Sequence, residues 1–284
     1  MENTIKIKCP AKINLTLEIV NRRDDGFHNI KSIMQLINLY DYLTITIDKA
    51  DKNTISLSGN SNEIPYNESN LVYKAIKLYL EEAKINELGI KVFIEKNIPI
   101  SAGLAGGSTD AAGVLWGLNY MLGALEDSQI DSLCAKLGSD LNVCLKGGCQ
   151  LATSRGEITQ KLIPTDSAVT LIKPKNLGIS AGEAYKKYAN KEIKPQNNMT
   201  EKMLIAIMDK DDLNPFLYND LEYAVFDDYK ELQIIKNTYP EAIMSGSGST
   251  YFILENIKNS KLDGDFVFIN NLEFISTGVS LAGG

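Results

Sequence analysis

The stretch Pro99-Ile100-Ser101-Ala102-Gly103-Leu104-Ala105-Gly106-Gly107-Ser108-Thr109-Asp110-Ala111-Ala112 decides how this chain folds. It follows an alternating apolar run, Ile90, Val92 and Ile94, and leads into a helix-like segment, Ala111 to Leu122. Small residues between a strand and a helix start let backbone N–H groups approach a ligand closely, and the helix dipole there favours an anion. Residues 99–109 are therefore a candidate phosphate cradle. A flexible connection capped by Ser108 or Thr109 has the same composition. The stretch contains neither Gly-Lys-Ser/Thr nor the G-x-G-x-x-G spacing, which weakens a Walker A loop and a dinucleotide fingerprint as readings.

Upstream of the loop, Ile5 to Cys9 reads as strand, and Ile13, Leu15, Leu17 and Ile19 alternate with Lys12, Asn14, Thr16 and Glu18. Leu43, Ile45 and Ile47 give another strand, and Leu71, Ala75, Leu78 and Tyr79 recur at helical spacing. Downstream, Ser128 to Leu137 is helical, with Gly138 as its stop, and Val143 to Leu145 is a short apolar run. Beyond Val169 to Ile172, a strand, helices are expected at 181–189, 199–208, 219–226 and 228–236. Strands are expected at 242–244, 251–254, 266–269 and 274–276. This order lacks a strict βαβ rhythm and predicts an α+β fold. At roughly 150 residues per domain, 284 residues predict two domains. The Gly156 to Ser167 segment, with Pro164, marks their boundary, giving 1–160 and 161–284.

Composition narrows the function. With 44% hydrophobic and 23% charged residues the chain has ordinary globular character. Lys+Arg 29 against Asp+Glu 36, net −7, with no basic cluster, argues against nucleic acid and anionic membrane surfaces as partners. The N-terminal stretch lacks a signal-like apolar core, and no run of about eighteen apolar residues occurs; a cytoplasmic protein is expected. Cys9, Cys134, Cys144 and Cys149 form no C-x-x-C pair, and the single histidine cannot build a His-rich zinc site.

Four other segments carry candidate chemistry. Lys12 and Asn14 share one strand face, which is either solvated or functional. Asp140, just after Gly138-Ser139, is either an acidic residue favoured by a helix N-terminus or a carboxylate available as a base. Ser245-Gly246-Ser247-Gly248-Ser249 is either a hairpin turn or a close backbone approach to substrate or phosphate. Asp25-Gly26-Phe27-His28 joins a turn signal to an aromatic and the only histidine.

Taken in order, Pro10-Ala11-Lys12-Ile13-Asn14-Leu15, the 99–109 loop and the 245–249 stretch resemble the GHMP small-molecule kinases. Within that superfamily, residues 22–28, Leu137-Gly138-Ser139-Asp140 and Asn219-Asp220-Leu221-Glu222 resemble the branch whose alcohol substrate carries a cytidine diphosphate group. The resemblance implies a two-domain α+β kinase. Its N-terminal domain would be like the second domain of ribosomal protein S5, its C-terminal domain ferredoxin-like, and its active site would lie in the cleft between them. ATP would phosphorylate a tertiary 2-hydroxyl, with Asp140 as base and Lys12 its partner. Residues 99–109 would hold the ATP phosphates, and Ser108 would contact Mg²⁺ or a phosphate oxygen. His28 would hydrogen-bond cytosine, Phe27 and Tyr185 would stack on it, Asn14 would contact the same ligand, and Gly246 and Ser247 would bind substrate.

Three positions depart from the family pattern: Phe27 stands where tyrosine is common, Asn142 where a proline is expected, and Ala105 replaces a glycine. Another kinase of the superfamily is the nearest rival, and the segment around His28 argues against it. A nucleotide-binding regulatory module would have no need of a base such as Asp140. A NAD-binding oxidoreductase lacks the required glycine spacing.

Overall fold

A computed structural model describes residues 3–163, 165–192 and 198–283; Pro164, part of the predicted boundary, lies outside them. Two long antiparallel strands, β1 (Thr4–Arg22) and β2 (His28–Lys49), form the spine. The sequence marked only the end of β2. Ile33 to Ile37 is buried on both faces, so the apolar–polar alternation that betrays a half-exposed strand is lost there. β3 (Thr54–Gly59) and β4 (Leu88–Glu95) extend the sheet from the C-terminal half of β2, while β5 (Cys149–Ser154) and β6 (Ile158–Lys161) extend it from the N-terminal half.

Then follow β7 (Ala168–Pro174), β8 (Tyr218–Asn219), β9 (Ile243–Met244), β10 (Tyr251–Ile253), β11 (Phe266–Glu273) and β12 (Ser280–Leu281). β8 and β12 return to β1, completing an eight-stranded sheet, and the other four form an antiparallel sheet in the order β11-β7-β10-β9. The strand expected at 274–276 is reduced to a single bridge between Phe274 and Ile37.

The helices are α1 (Leu71–Glu82), α2 (Gly106–Leu122), α3 (Asp127–Leu137), α4 (Leu141–Lys146), α5 (Ala181–Asn190), α6 (Met199–Asp209), α7 (Asp220–Val225) and α8 (Lys230–Thr238). The Val143 to Leu145 run lies inside α4, and Asn219 caps α7 with its side chain rather than lying within a helix from 219.

Odd-numbered residues of β1 serve two cores. Ile5, Ile7 and Cys9 pack against α1 and α2, whereas Ala11, Ile13 and Leu15 pack against Val169, Leu171 and Phe252 of the second sheet. The change falls at Pro10, where the β1–β2 register shifts; a proline has no N–H to give the ladder and is accommodated at such an irregularity. Gly113 sets α2 close to the sheet, since a Cβ there would lie 2.4 Å from Cys9 Sγ. These contacts fix the α2 N-terminus over the even-numbered face of β1's middle, where the site lies.

Candidate functional site

Lys12, Asn14 and Thr16 form that even-numbered face. It is not solvated: Lys12 is 3% exposed and Asn14 fully buried. Lys12 Nζ donates to Asn14 Oδ1 (2.6 Å), Asn14 Nδ2 to Ser32 Oγ (2.8 Å), and Ser32 Oγ to the Thr16 carbonyl (2.6 Å). This chain of bonds leaves Lys12 little freedom. Asp140 Oδ2 lies 3.6 Å from Lys12 Nζ, with its side chain 27% exposed. Asp140 is the residue before α4 and makes no side-chain cap, so its carboxylate is free to face Lys12.

The loop from β4 to α2 closes over Lys12. Lys12 N–H donates to the Leu104 carbonyl (3.1 Å), Ser245 Oγ to the Gly103 carbonyl (3.0 Å) and Thr250 N–H to the Ala102 carbonyl (3.3 Å). Gly103 has φ +75°, and a Cβ there would sit 2.0 Å from the Ser245 carbonyl oxygen, so only glycine fits. Ala105 adopts φ +61° at the start of α2, at a cost on the order of 1 kcal/mol for a non-glycine residue. It gives no side-chain cap, and the early N–H groups of a helix have no intrahelical partner. Gly106, Gly107 and Ser108 there line a cavity of about 710 Å³.

Lys12, Asn14, Phe27, His28, residues 99–108, Asp140, Tyr185, Gly246 and Ser247 all border this cavity. Thr109 does not: its side chain is fully buried, and its N–H donates to the Ala105 carbonyl (2.9 Å) inside the helix. The expected phosphate loop therefore ends at Ser108. The Asn219-Asp220-Leu221-Glu222 segment is largely scaffolding. Asn219 Nδ2 donates to the Met244 (2.6 Å) and Gly246 (2.8 Å) carbonyls, Asp220 Oδ2 accepts from Ile19 N–H (2.6 Å), and Glu222 Oε2 accepts from Met244 N–H (3.0 Å). These bonds brace the 245–249 turn against β1.

At the other end of the cavity, His28 stacks on Tyr185 with ring centroids 5.2 Å apart and planes 16° from parallel. Burial, then the charges of Asp140 and Asp220, push the Tyr185 phenol well above its usual range, so it stays neutral. Phe27 is 53% exposed, with the Arg155 guanidinium over its ring. Asn142 donates from Nδ2 to the Glu157 carbonyl (3.0 Å), a bond that the expected proline could not make.

Sequence reasoning missed a buried cluster beneath the loop. Lys96 Nζ bonds Asp41 and Asp110, the latter at 2.9 Å, and Asp41 Oδ1 also accepts from the N–H groups of Asn97 (2.6 Å) and Ile98 (2.8 Å). A Cβ on Gly106 would lie 3.0 Å from Lys96 Nζ, so the ammonium sits directly under the start of α2. Burial, despite the pull of Lys96 and helped by the Asp41 charge, pushes the Asp110 carboxyl up to about 7. Lys96 ends a strand pattern and looks in sequence like a surface residue; only Asp110, at the close of the glycine loop, stood near a marked motif.

A helix start lined by N–H groups faces a Lys–Asp pair across one cavity, and residues 70–150 match the family model for the GHMP kinases N terminal domain, a class of small-molecule kinase. The chain is 37% identical over 278 residues to 4-diphosphocytidyl-2-C-methyl-D-erythritol kinase of Prochlorococcus marinus (strain MIT 9301), covering 90% of this chain and 88% of that one. It is 39% identical over 261 residues to the Clostridium beijerinckii (strain ATCC 51743 / NCIMB 8052) enzyme of the same name, covering 88% and 90%. The chain belongs to the 4-diphosphocytidyl-2-C-methyl-D-erythritol kinase family. A crystal structure of 4-(cytidine 5'-diphospho)-2C-methyl-D-erythritol kinase superposes with a TM-score of 0.72 at 30% identity, covering 88% of this chain and 90% of that one.

Proposed function

We propose that the chain transfers the γ-phosphoryl group of ATP to the 2-hydroxyl of 4-diphosphocytidyl-2-C-methyl-D-erythritol, a step toward isoprenoid precursors. The observation that carries this reading is the Lys12–Asp140 pair facing the α2 N-terminus across one cavity. A tertiary alcohol is a weak nucleophile at neutral pH. Asp140 takes the hydroxyl proton as the oxygen attacks the γ-phosphorus and ADP departs, while Lys12 orients the alcohol and offsets charge on the moving phosphoryl group. The first turn of α2 and residues 99–108 hold the phosphates through backbone N–H groups. Mg²⁺ screens the nucleotide's charge when bound. The Ser108 hydroxyl, which lines the cavity, is a hard oxygen donor that would suit it. Phe27, Tyr185, His28 and Asn14 select the cytidine end by stacking and edge hydrogen bonds, which needs no basic surface.

The test is ADP release with Mg-ATP and the cytidylated alcohol beside mevalonate, homoserine and galactose, with the product identified by phosphorus NMR. Turnover with the cytidylated alcohol alone is expected; turnover only with another alcohol would overturn the cytidine assignment. In the same assay His28→Ala is expected to raise KM for the cytidylated alcohol about tenfold, the loss of one buried polar contact, with little change in KM for ATP. Equal weakening of both would make His28 a structural residue.

Gly107→Ala probes the cradle. A Cβ there meets nothing within 4 Å, so the fold accepts it, but the methyl group occupies space assigned to a phosphate. KM for ATP should rise by about tenfold while the melting temperature holds or increases slightly, since alanine is the better helix former. An unchanged KM would move the phosphates away from this turn.

A further inference from the structure

The tip of the β1–β2 hairpin carries Phe27, and little holds it there. The turn is closed by Arg23 N–H to the Phe27 carbonyl (2.8 Å) and Gly26 N–H to the Arg23 carbonyl (3.1 Å), and Asp25 Oδ1 accepts from Phe27 N–H (3.1 Å). These bonds fix the backbone but not the ring. Phenylalanine has no polar atom of its own, and at 53% exposure packing constrains the ring weakly. Its orientation must come from a neighbour.

That neighbour is the β5–β6 turn. The Arg155 guanidinium carbon lies 5.1 Å from the Phe27 ring centroid, over its face. Arg155 is itself anchored: its N–H donates to Glu157 Oε2 (2.8 Å), its Nε lies 3.7 Å from Glu157 Oε1, and its Nη2 donates to the Ala135 carbonyl (3.3 Å). Ser154 Oγ donates to Glu157 Oε1 (2.9 Å) and accepts from Arg23 Nη1 (3.2 Å), so the same turn holds the hairpin at a second point. Gly156 packs on Ser139, the residue before Asp140: a Cβ on Gly156 would lie 3.2 Å from Ser139 Cβ.

We propose that Arg155 is the positioning residue of the nucleobase platform: by covering one face of Phe27 it presents the other to the cytosine ring and sets affinity for the cytidine nucleotide. This rests on the cytidine reading above. A planar guanidinium suits the task because it stacks on an aromatic face while keeping its edge for the Glu157 carboxylate. The chemistry of the transferred group lies at Lys12 and Asp140, so nucleotide recognition and phosphoryl transfer separate at this residue.

The experiment is calorimetric titration of the full chain with CDP, and separately with MgADP, in wild type, Arg155→Met, Arg155→Lys, Phe27→Leu and the Phe27→Leu/Arg155→Met double variant. Arg155→Met is expected to weaken CDP about fivefold with MgADP affinity unchanged. Arg155→Lys should recover part of that loss, and it carries the test if the methionine variant does not fold. In the Phe27→Leu background the Arg155 change should add almost nothing, because there is no ring left to position. Wild-type affinity for CDP in the Arg155 variants, independent losses in the double variant, or an equal loss of MgADP would each overturn the proposal. Failure of the wild type to bind CDP would instead overturn the cytidine reading itself, and this inference with it.

Discussion

Asp140→Asn is expected to lower kcat by about a thousandfold, the middle of the range for removing a positioned general base, with KM for ATP and affinity for CDP near wild type. The amide keeps the volume and shape of the carboxylate but has no basic oxygen to take the 2-hydroxyl proton. Lys12 should stay in place, because its bond to Asn14 Oδ1 at 2.6 Å does not depend on Asp140. A thousandfold loss corresponds to about 4 kcal/mol of transition-state stabilisation. Lys12→Met should cost a comparable amount, and the double variant little more than either single change, since two groups acting on one proton and one phosphoryl group behave as a unit. Steady-state rates of the three variants with saturating substrates decide the matter. Wild-type kcat in Asp140→Asn would remove Asp140 from the chemistry, and fully multiplicative losses would separate the pair into independent roles.

Much of this site was legible in sequence, and what was not has identifiable causes. The 99–109 stretch stood out because small residues between a strand and a helix start form a local pattern written in consecutive positions. Thr109 differs from the residues before it: its N–H already bonds the Ala105 carbonyl and its side chain is buried away from the cavity. Lys12 and Asn14 showed which face they shared but not that it was covered, because the elements covering it arrive from the glycine loop and the 245–249 turn, far along the chain. The long β2 strand escaped for the opposite reason, burial on both faces having erased its period. At Asn142, where a proline is expected from the family pattern, the side-chain amide bonds the Glu157 carbonyl, a contact that the sequence did not announce. Asp41 lies inside β2, Lys96 just after β4 and Asp110 in α2, with no common motif, so their pairing exists only once the sheet has brought the middle of β2 and the end of β4 beneath α2.

Lys96→Met should destabilise the protein by about 3–5 kcal/mol, the usual cost of removing one partner from a buried ion cluster. The three side chains are almost wholly buried, 6% exposed for Lys96, 0% for Asp41 and 3% for Asp110. Methionine fills the same space but leaves two carboxylates facing each other in a site that water does not reach, with Asp110 Oδ1 already lacking a hydrogen-bond partner. In the wild type Asp110 is raised from 3.8 to about 7, so between those values the folded state holds more proton than the unfolded one. Its contribution to stability is therefore full below about pH 4 and falls as pH rises through 7. Removing the cation strengthens that dependence, because a proton is then the only neutralising charge within reach. The deficit of Lys96→Met relative to wild type should be largest at pH 8 and shrink toward pH 5.5, and Asp110→Asn in the same background should recover part of it at pH 8. Thermal unfolding of the three proteins across that range is the measurement, with a drop on the order of 10 °C expected for Lys96→Met at pH 8. The same loss at both ends of the range would mean that methionine perturbs packing rather than charge. The pH-dependent result would show that the Lys96 ammonium, lying directly beneath Gly106, stabilises the fold by neutralising the Asp41 and Asp110 carboxylates.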